Sequence, residues 1–297
     1  MKVRVLLMLC FLTRVASAQT RGPMELATAP VPAGARRVAY GKDPLEFGEL
    51  RVPNRPGQHP LAIVIHGGCW VAKLPNLDER AVAMDNMRPL AAALNDAGIA
   101  TWNIEYRRIG NPGGGWPGTF QDVANAADFV RSLARENQLD LTRVIAIGHS
   151  AGGHLAMWLA ARSRLAKNSN LYEKDPLRLS GVVDLDGPTD LKATISVQKR
   201  ICGQPDITDL LGGSPDEQSL RYHDASPIEL LPIRVPQEFF AGQMFVGQVA
   251  PYEAAAKKAG DSIATTVLPK AGHFVFIDPQ SEVWPQVIAS VRRLLRQ

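Results

Sequence analysis

The sequence predicts an α/β fold in which a mostly parallel central sheet is covered by helices on both faces. Short apolar runs alternate with segments of helical periodicity along most of the 297 residues. The run at residues 61–65 is continuously apolar, as expected of a strand buried on both faces. A second apolar run, at 144–147, leads through a glycine-rich turn into an apolar helical segment. A ligand site of such a sheet lies at the carboxyl ends of its strands.

The remaining elements follow from the same patterns. Alternating polar and apolar residues between 36 and 52 predict two antiparallel strands at a sheet edge. Further strands are predicted at 99–106, 181–186, 237–242 and 263–268, and helices at 84–97, 120–135, 249–259 and 284–295. The alternation breaks after the sixth strand, and residues 187–236 contain several glycines and prolines. We expect a small lid-like insertion there rather than a second domain.

Composition excludes some classes of function. Apolar residues make up 45% of the chain and charged residues 21%, which is normal for a globular protein with a sizeable core. The net charge of +4 is mild, and lysine and arginine are scattered among acidic residues. The sequence therefore gives no indication of nucleic-acid binding.

The first residues have the pattern of a secretory signal peptide. Lys2 and Arg4 precede an apolar run at 5–12, and Ala16-Ser17-Ala18 forms a small-x-small cleavage site. The apolar run is too short to span a bilayer, and the bulky residue before Cys10 argues against a lipid anchor. We expect a signal peptide at 1–18, a single domain at 19–297 and a secreted or periplasmic protein without a membrane anchor. The alternative is an uncleaved N-terminal helix.

Two cysteines, Cys69 and Cys202, remain after such a cleavage. In an exported protein they either form a disulfide or stay as two buried thiols. A disulfide is favoured because it would join the loop after the third strand to the insertion. No Cys-x-x-Cys or Cys/His spacing indicates a metal site, and no cofactor is implied.

The turn Gly148-His149-Ser150-Ala151-Gly152 has the strand-turn-helix context of a nucleophile elbow. The two glycines allow two backbone segments to cross closely, so that Ser150 can adopt a strained conformation that exposes its hydroxyl. The N–H group of Ala151 then points to where a negative oxygen would develop. The alternative is an ordinary loop serine between glycines.

A serine hydroxyl needs a neighbouring base to become a nucleophile. Among the six histidines, His273 is the best candidate because it follows the last strand. That position lies at the same edge of the sheet as Ser150. His149 and His154 belong to the turn and its helix, where a packing role is expected. A structural role for His273 is the alternative.

Three motifs resemble those of the α/β-hydrolase superfamily: His66-Gly67-Gly68-Cys69-Trp70, the serine turn and Gly272-His273. They are most similar to the esterase branch with a His-Gly-Gly loop, which includes hormone-sensitive-lipase-like carboxylesterases and kynurenine-formamidase-like hydrolases. The resemblance implies that the N–H groups of Gly68, Cys69 and Ala151 form an oxyanion hole. The export signal argues against a kynurenine formamidase, whose substrate is a cytoplasmic metabolite.

The sequence departs from this superfamily at the triad acid, which normally lies in the loop after strand seven. Residues 242–251 contain no Asp or Glu. Asp186, at the end of strand six, ranks first among the substitutes, and Glu253 ranks second. Gln243 or Gln248 could orient the imidazole without a charge. The sequence leaves these alternatives open.

These observations predict a serine hydrolase that cleaves a small carboxylic ester or amide. An acyl-enzyme would form on Ser150, with His273 as the base. The missing acid motivates an alternative, a catalytically weakened hydrolase fold that binds a ligand or a partner.

Overall fold

A computed structural model describes residues 21–296 of the chain, so the predicted signal peptide at 1–18 lies outside the described residues. Eight strands form one sheet in the order β1-β2-β4-β3-β5-β6-β7-β8. They are β1 (Arg36–Ala39), β2 (Phe47–Arg51), β3 (His59–Ile65), β4 (Ala100–Ile104), β5 (Leu139–His149), β6 (Gly181–Leu185), β7 (Gln237–Ala241) and β8 (Ile263–Val267). All eight predicted strands are present, with bounds that differ from the predicted ones by a few residues.

Strands β3 to β8 pair in parallel, whereas β1 and β2 are antiparallel and form one edge of the sheet. The predicted edge hairpin is therefore confirmed. Parallel pairing of β5 with β6 places His149 opposite Leu185, so the residues that follow these two strands are neighbours. This register brings Ser150 and Asp186 to the same edge of the sheet.

Helices cover both faces of the sheet. They are α1 (Pro23–Ala27), α2 (Arg88–Asp96), α3 (Gly118–Ala134), α4 (Ala151–Ala161), α5 (Leu191–Thr194), α6 (Gln198–Cys202), α7 (Asp206–Leu211), α8 (Ser219–Ala225), α9 (Val246–Lys258) and α10 (Trp284–Leu294). The helix predicted at 84–97 is a 3-10 turn, Met84–Met87, followed by α2. Pro89, near the start of α2, fits there because the first helical N–H groups need no partner within the helix.

Two apolar cores lie on opposite faces of the sheet because side chains alternate along each strand. Leu61 and Ile63 of β3 belong to the core beneath α3 and α4, together with residues of the insertion. Ala62 and Val64 belong to the second core, which is covered by α2 and α10. This three-layer packing confirms the α/β fold with helices on both faces.

The segment between β6 and β7 folds as four short helices, α5 to α8, followed by the 3-10 turn Pro227–Leu230. Its apolar residues Leu191, Ile207 and Leu210 are buried in the first core. None of the helices within residues 21–296 combines the length and the apolar character needed to cross a membrane.

Candidate active site

Ser150 occupies the sharp turn between β5 and α4. Its backbone has φ 56° and ψ −123°, a conformation that residues other than glycine rarely adopt. A Cβ at Gly148 would collide with the carbonyl of Gly152, and a Cβ at Gly152 would collide with the carbonyl of Ile65. The N–H of Ser150 donates a hydrogen bond to Leu185 O at 3.0 Å. The two glycines therefore allow the close crossing that the sequence predicted.

His273 contacts Asp186 directly. The Nδ1 of His273 lies 2.7 Å from Oδ2 of Asp186, and the aspartate is completely buried. His273 begins a 3-10 turn, His273–Ile277, that follows β8. Asp186 comes one residue after β6 and has φ 56°, so its backbone turns at the sheet edge. The structure thus brings together the predicted base and the first-ranked substitute for the acid.

The loop after β7 supplies backbone groups to Asp186 instead of a carboxylate of its own. The N–H groups of Gly242 and Phe245 donate to Oδ1 of Asp186 at 2.9 and 3.3 Å. One carboxylate oxygen therefore faces two amides and the other faces the imidazole. Hydrogen bonds from backbone N–H groups stabilise a buried carboxylate in its ionised form.

The other candidates for the acid have different partners. Glu253 pairs with Lys257 and accepts a hydrogen bond from Thr265. The side chain of Gln248 accepts the N–H groups of Thr189 and Asp190. Gln243 donates to the carbonyl of Lys270. Within residues 21–296, Asp186 is the only carboxylate hydrogen-bonded to His273.

The glycine loop after β3 forms a tight turn. Cys69 and Trp70 both have positive φ, 55° and 57°, and the N–H of Val71 closes the turn on Gly68 O at 3.1 Å. Gly68 itself has φ +108°, and a Cβ there would lie 2.7 Å from Val82. Across residues 21–296, the N–H groups of Gly68, Cys69 and Ala151 donate to no protein acceptor. These unpaired donors suit an oxyanion hole.

A buried hydrogen bond between His66 and Glu105 supports this loop. His66 is fully buried, with Nδ1 2.7 Å from Gly67 O and Nε2 2.9 Å from Oε1 of Glu105. Its ring stacks on Tyr106 with centroids 4.2 Å apart. Burial alone would raise the pKa of Glu105, but the adjacent His66 and Arg108 lower it to about 2. Both ring nitrogens of His66 therefore contact groups that hold the loop in place.

Two further histidines are neutral packing residues. Burial and the neighbouring His273 lower the pKa of His149 far below its ordinary value. The Nε2–H of His149 donates to the carbonyl of His273 at 3.0 Å, which fixes the start of the turn that carries the predicted base. Burial also lowers the pKa of His154 to about 4, and its Nε2–H donates to Ala225 O.

A narrow pocket opens beside Ser150, with an empty volume of about 300 Å³ including its mouth. Ala151 and Cys69 line the pocket together with Ser150. Two of the three residues with unpaired N–H groups therefore belong to the pocket wall. Apolar side chains form much of the rest, and three polar side chains of the insertion complete it. These residues are Trp70, Ile201, Ile207, Phe245, Thr194, Gln198 and Asp206.

Cys69 and Cys202 form a disulfide, with their Cα atoms 6.0 Å apart. The favoured pairing is therefore confirmed, and it joins the glycine loop to α6 of the insertion. Both sulfur atoms lie within 4.8 Å of a carboxylate oxygen of Asp206. Because the sulfurs are bonded to each other, this group offers no thiolate ligand to a metal ion.

Sequence patterns did not single out Asp206, Trp70 or Phe245 as site residues. Asp206 lies in the insertion, where no periodicity indicates which side chains face inward. Trp70 directly follows the predicted oxyanion residues, and this proximity was the one available signal. Phe245 falls at the position where the superfamily places its acid, and it lies at the pocket wall.

A family model named BD-FAE matches residues 50–240, which is more than half of the chain. The chain belongs to the BD-FAE family. This is an esterase family of α/β-hydrolase type, so the predicted superfamily and its esterase character are confirmed. The matched residues run from the second strand to β7 and include the serine turn. No match is found among curated protein sequences.

Solved structures similar to this BD-FAE member share its fold. A truncated carbohydrate esterase from gut microbiota has 21% identity and a TM-score of 0.72, covering 93% of this chain and 100% of its own. Inhibited esterase B from Lactobacillus rhamnosis has 21% identity and a TM-score of 0.73, with 92% and 89% covered. Propionate-bound Est2 from Thermogutta terrifontis has 18% identity and a TM-score of 0.66, with 89% and 94% covered.

Proposed function

We propose that this protein is a serine esterase in which Ser150 is the nucleophile, His273 the base and Asp186 the acid. The observation that carries the proposal is the 2.7 Å contact between His273 and Asp186. Asp186 directly follows Leu185, and the carbonyl of Leu185 accepts the N–H of Ser150. The three groups therefore belong to one edge of the sheet.

The contact with Asp186 sets the tautomer of His273. A carboxylate accepts a hydrogen bond, so Nδ1 of the neutral ring carries the proton and Nε2 has a free lone pair. In this arrangement Nε2 can remove the proton of the Ser150 hydroxyl. Among the described residues, neither Ser150 Oγ nor His273 Nε2 is hydrogen-bonded to a protein group. Such contacts commonly tighten only when substrate is bound.

In the proposed reaction Ser150 Oγ attacks the carbonyl carbon of the ester while His273 takes its proton. The oxygen that becomes negative accepts hydrogen bonds from the N–H groups of Gly68, Cys69 and Ala151. His273 then protonates the leaving alcohol, and an acyl-enzyme remains on Ser150. Water, deprotonated by His273, releases the acid and regenerates the serine.

The size of the pocket supports a small substrate. The pocket is narrow beside Ser150 and is bounded by Phe245 and by the insertion, which leaves little room for a long acyl chain. The Thermogutta terrifontis structure contains propionate, a short acid. For the present chain we propose esters with short acyl groups and include small amides, because the same acyl transfer applies to them. The ligand-binding alternative is not proposed, since a carboxylate does contact His273.

Labelling with a fluorophosphonate probe tests the proposal, with hydrolysis of p-nitrophenyl acetate and butyrate measured in parallel. We expect labelling and turnover in the wild-type protein and neither in Ser150→Ala. Ser262→Ala serves as the control, because Ser262 is an exposed serine before β8. Folded wild-type protein that shows neither signal would contradict the proposed function.

Export from the cytoplasm completes the proposal. The sequence pattern of residues 1–18 and the disulfide between Cys69 and Cys202 both support an oxidising compartment. N-terminal sequencing of protein expressed from the full chain in a bacterial host should give Gln19 as the first residue. Recovery of the full-length chain in the cytoplasm would contradict this part of the proposal.

A further inference from the structure

Asp206, the first residue of α7, is completely buried and lies at the wall of the pocket beside Ser150. Within residues 21–296, neither of its carboxylate oxygens has a hydrogen-bond partner. A buried carboxylate without a partner costs folding free energy, because its hydration is lost and nothing replaces it. Such a group next to a nucleophile needs an explanation.

The surroundings of Asp206 compensate the carboxylate only in part, through the amide of the neighbouring Gln204. The pocket wall contributes the apolar side chains of Ile201, Ile207 and Phe245 but no cation. The two sulfur atoms near the carboxylate belong to the disulfide, so neither has an S–H group to donate to it. Gln198 lies on the same wall; its side-chain oxygen accepts the N–H of Ile207, and its NH2 group makes no hydrogen bond to Asp206. The carboxylate is therefore available to a ligand.

Trp70 adds a second unpaired polar group to this pocket. Its indole N–H is buried and has no acceptor among the residues that the structure describes. The pocket wall thus carries one residue with an unpaired acceptor and one with an unpaired donor. A hydroxyl group both donates and accepts hydrogen bonds, so it can pair with either.

We propose that Asp206 is a specificity residue that accepts a hydrogen bond from a hydroxyl group of the substrate. The inference rests on the proposed function, because it places the substrate in the pocket beside Ser150. The expected substrates are small esters with a hydroxyl group near the scissile bond, as in esters of polyols or of hydroxy acids. Esters with purely alkyl groups should be poorer substrates.

A hydroxyl group fits this carboxyl better than an ammonium group does. Burial raises the pKa of Asp206 to about 7, an effect that the neighbouring Gln204 amide reduces. Both protonation states are therefore populated near neutral pH, and a hydroxyl can pair with each of them. An ammonium group can pair only with the ionised form, and it loses its own hydration in a pocket with apolar walls.

The test compares the hydrolysis of two matched pairs of esters, and pH-stat titration measures the rates. Ethyl glycolate and ethyl propionate differ by a hydroxyl on the acyl side. 2-Hydroxyethyl acetate and propyl acetate differ by a hydroxyl on the alcohol side. The wild-type protein should prefer the hydroxyl ester of at least one pair by about tenfold in kcat/KM, since a hydrogen bond to a charged group typically contributes that much. Ethyl glycinate, measured below neutral pH, is the ammonium counterpart.

Variants assign the preference to the carboxyl group. Asp206→Ala should bring the ratio of kcat/KM within the preferred pair close to one. Asp206→Asn has the same shape and keeps one oxygen acceptor, so it should keep part of the ratio. Asp216→Asn is the control because Asp216 is an exposed aspartate of the same insertion, and its ratio should equal that of the wild type. Fluorophosphonate labelling of each variant reports whether the serine site is intact.

The outcomes separate this inference from the proposed function. Hydrolysis with no hydroxyl preference in either pair overturns the inference and leaves the esterase intact. The same holds if labelled Asp206→Ala and Asp206→Asn both keep the wild-type ratio, or if ethyl glycinate is preferred over ethyl glycolate. A wild-type protein that hydrolyses none of the esters and takes no label overturns the proposed function, and the inference with it.

Discussion

Asp186 Oδ2 lies 2.7 Å from His273 Nδ1, and these two residues are separated by 87 positions in the sequence. The contact joins the segments that follow β6 and β8. It occurs at full burial of the carboxylate, where a charged hydrogen bond is stronger than in water. The acid of the proposed triad is thus supplied one strand earlier than the superfamily pattern places it.

Replacing Asp186 tests this assignment. Asp186→Asn should lower kcat by about 10⁴-fold, because an amide next to Nδ1 favours the wrong imidazole tautomer. The measurement is steady-state hydrolysis of p-nitrophenyl acetate. Glu253→Gln removes the second-ranked carboxylate and should keep activity close to that of the wild type. A larger loss in Glu253→Gln than in Asp186→Asn would contradict the assignment.

The glycine loop after β3, which carries two N–H groups of the proposed oxyanion hole, gives a second prediction. Gly68→Ala places a Cβ 2.7 Å from Val82 and should displace the N–H groups of the turn. We expect kcat to fall about 10²- to 10³-fold, the typical effect of losing one oxyanion donor. Gly34→Ala is a matched control, because Gly34 has a similar φ of +111° but no atom within 4 Å of an added Cβ. Similar kcat values for the two variants would argue against this role of the turn.

The disulfide between Cys69 and Cys202 closes a loop of 133 residues. Its loss should cost about 2–5 kcal/mol of unfolding free energy, because the unfolded chain gains conformational freedom. Reduction of the wild-type protein should therefore lower Tm by on the order of 10 °C. It should also lower kcat/KM, since Cys69 supplies one of the N–H groups of the proposed oxyanion hole. The double variant Cys69→Ser, Cys202→Ser should show a low Tm that reductant does not change.

The buried pair of Glu105 and His66 makes stability depend on pH. The pKa of Glu105 is about 2 in the folded protein and about 4.5 in an unfolded chain, so ionisation of this group stabilises the folded state above pH 4.5. That contribution is lost as the pH falls from about 4.5 to about 2.

Glu105→Gln should consequently have a lower Tm than the wild type at pH 7, by roughly 5–10 °C. The difference should narrow as the pH falls below 4.5, because the wild type then loses the same contribution. Thermal unfolding followed by circular dichroism measures both effects. Glu282→Gln changes an exposed glutamate and should follow the wild-type curve. A Tm difference that stays constant down to pH 3 would show that the pKa of Glu105 is not lowered in the folded protein.

The sequence was sufficient to predict the eight strands, the mostly parallel sheet and the positions of Ser150 and His273. Both side chains are defined by local signals: glycines around a strained turn, and a histidine directly after the last strand. The acid was harder to assign because its role depends on a positive φ at Asp186 and on a contact between distant segments. Asp206 could not be predicted, since the insertion has no period that indicates which residues face the pocket.

The loop after β7 contacts Asp186 through the N–H groups of Gly242 and Phe245. A peptide N–H is the same for every amino acid except proline. A substitution at position 245 can therefore change the shape of the pocket and still keep the backbone hydrogen bond to Asp186. Proline is the one substitution there that removes the donor, so retention of this hydrogen bond at position 245 should depend on backbone chemistry rather than on side-chain identity.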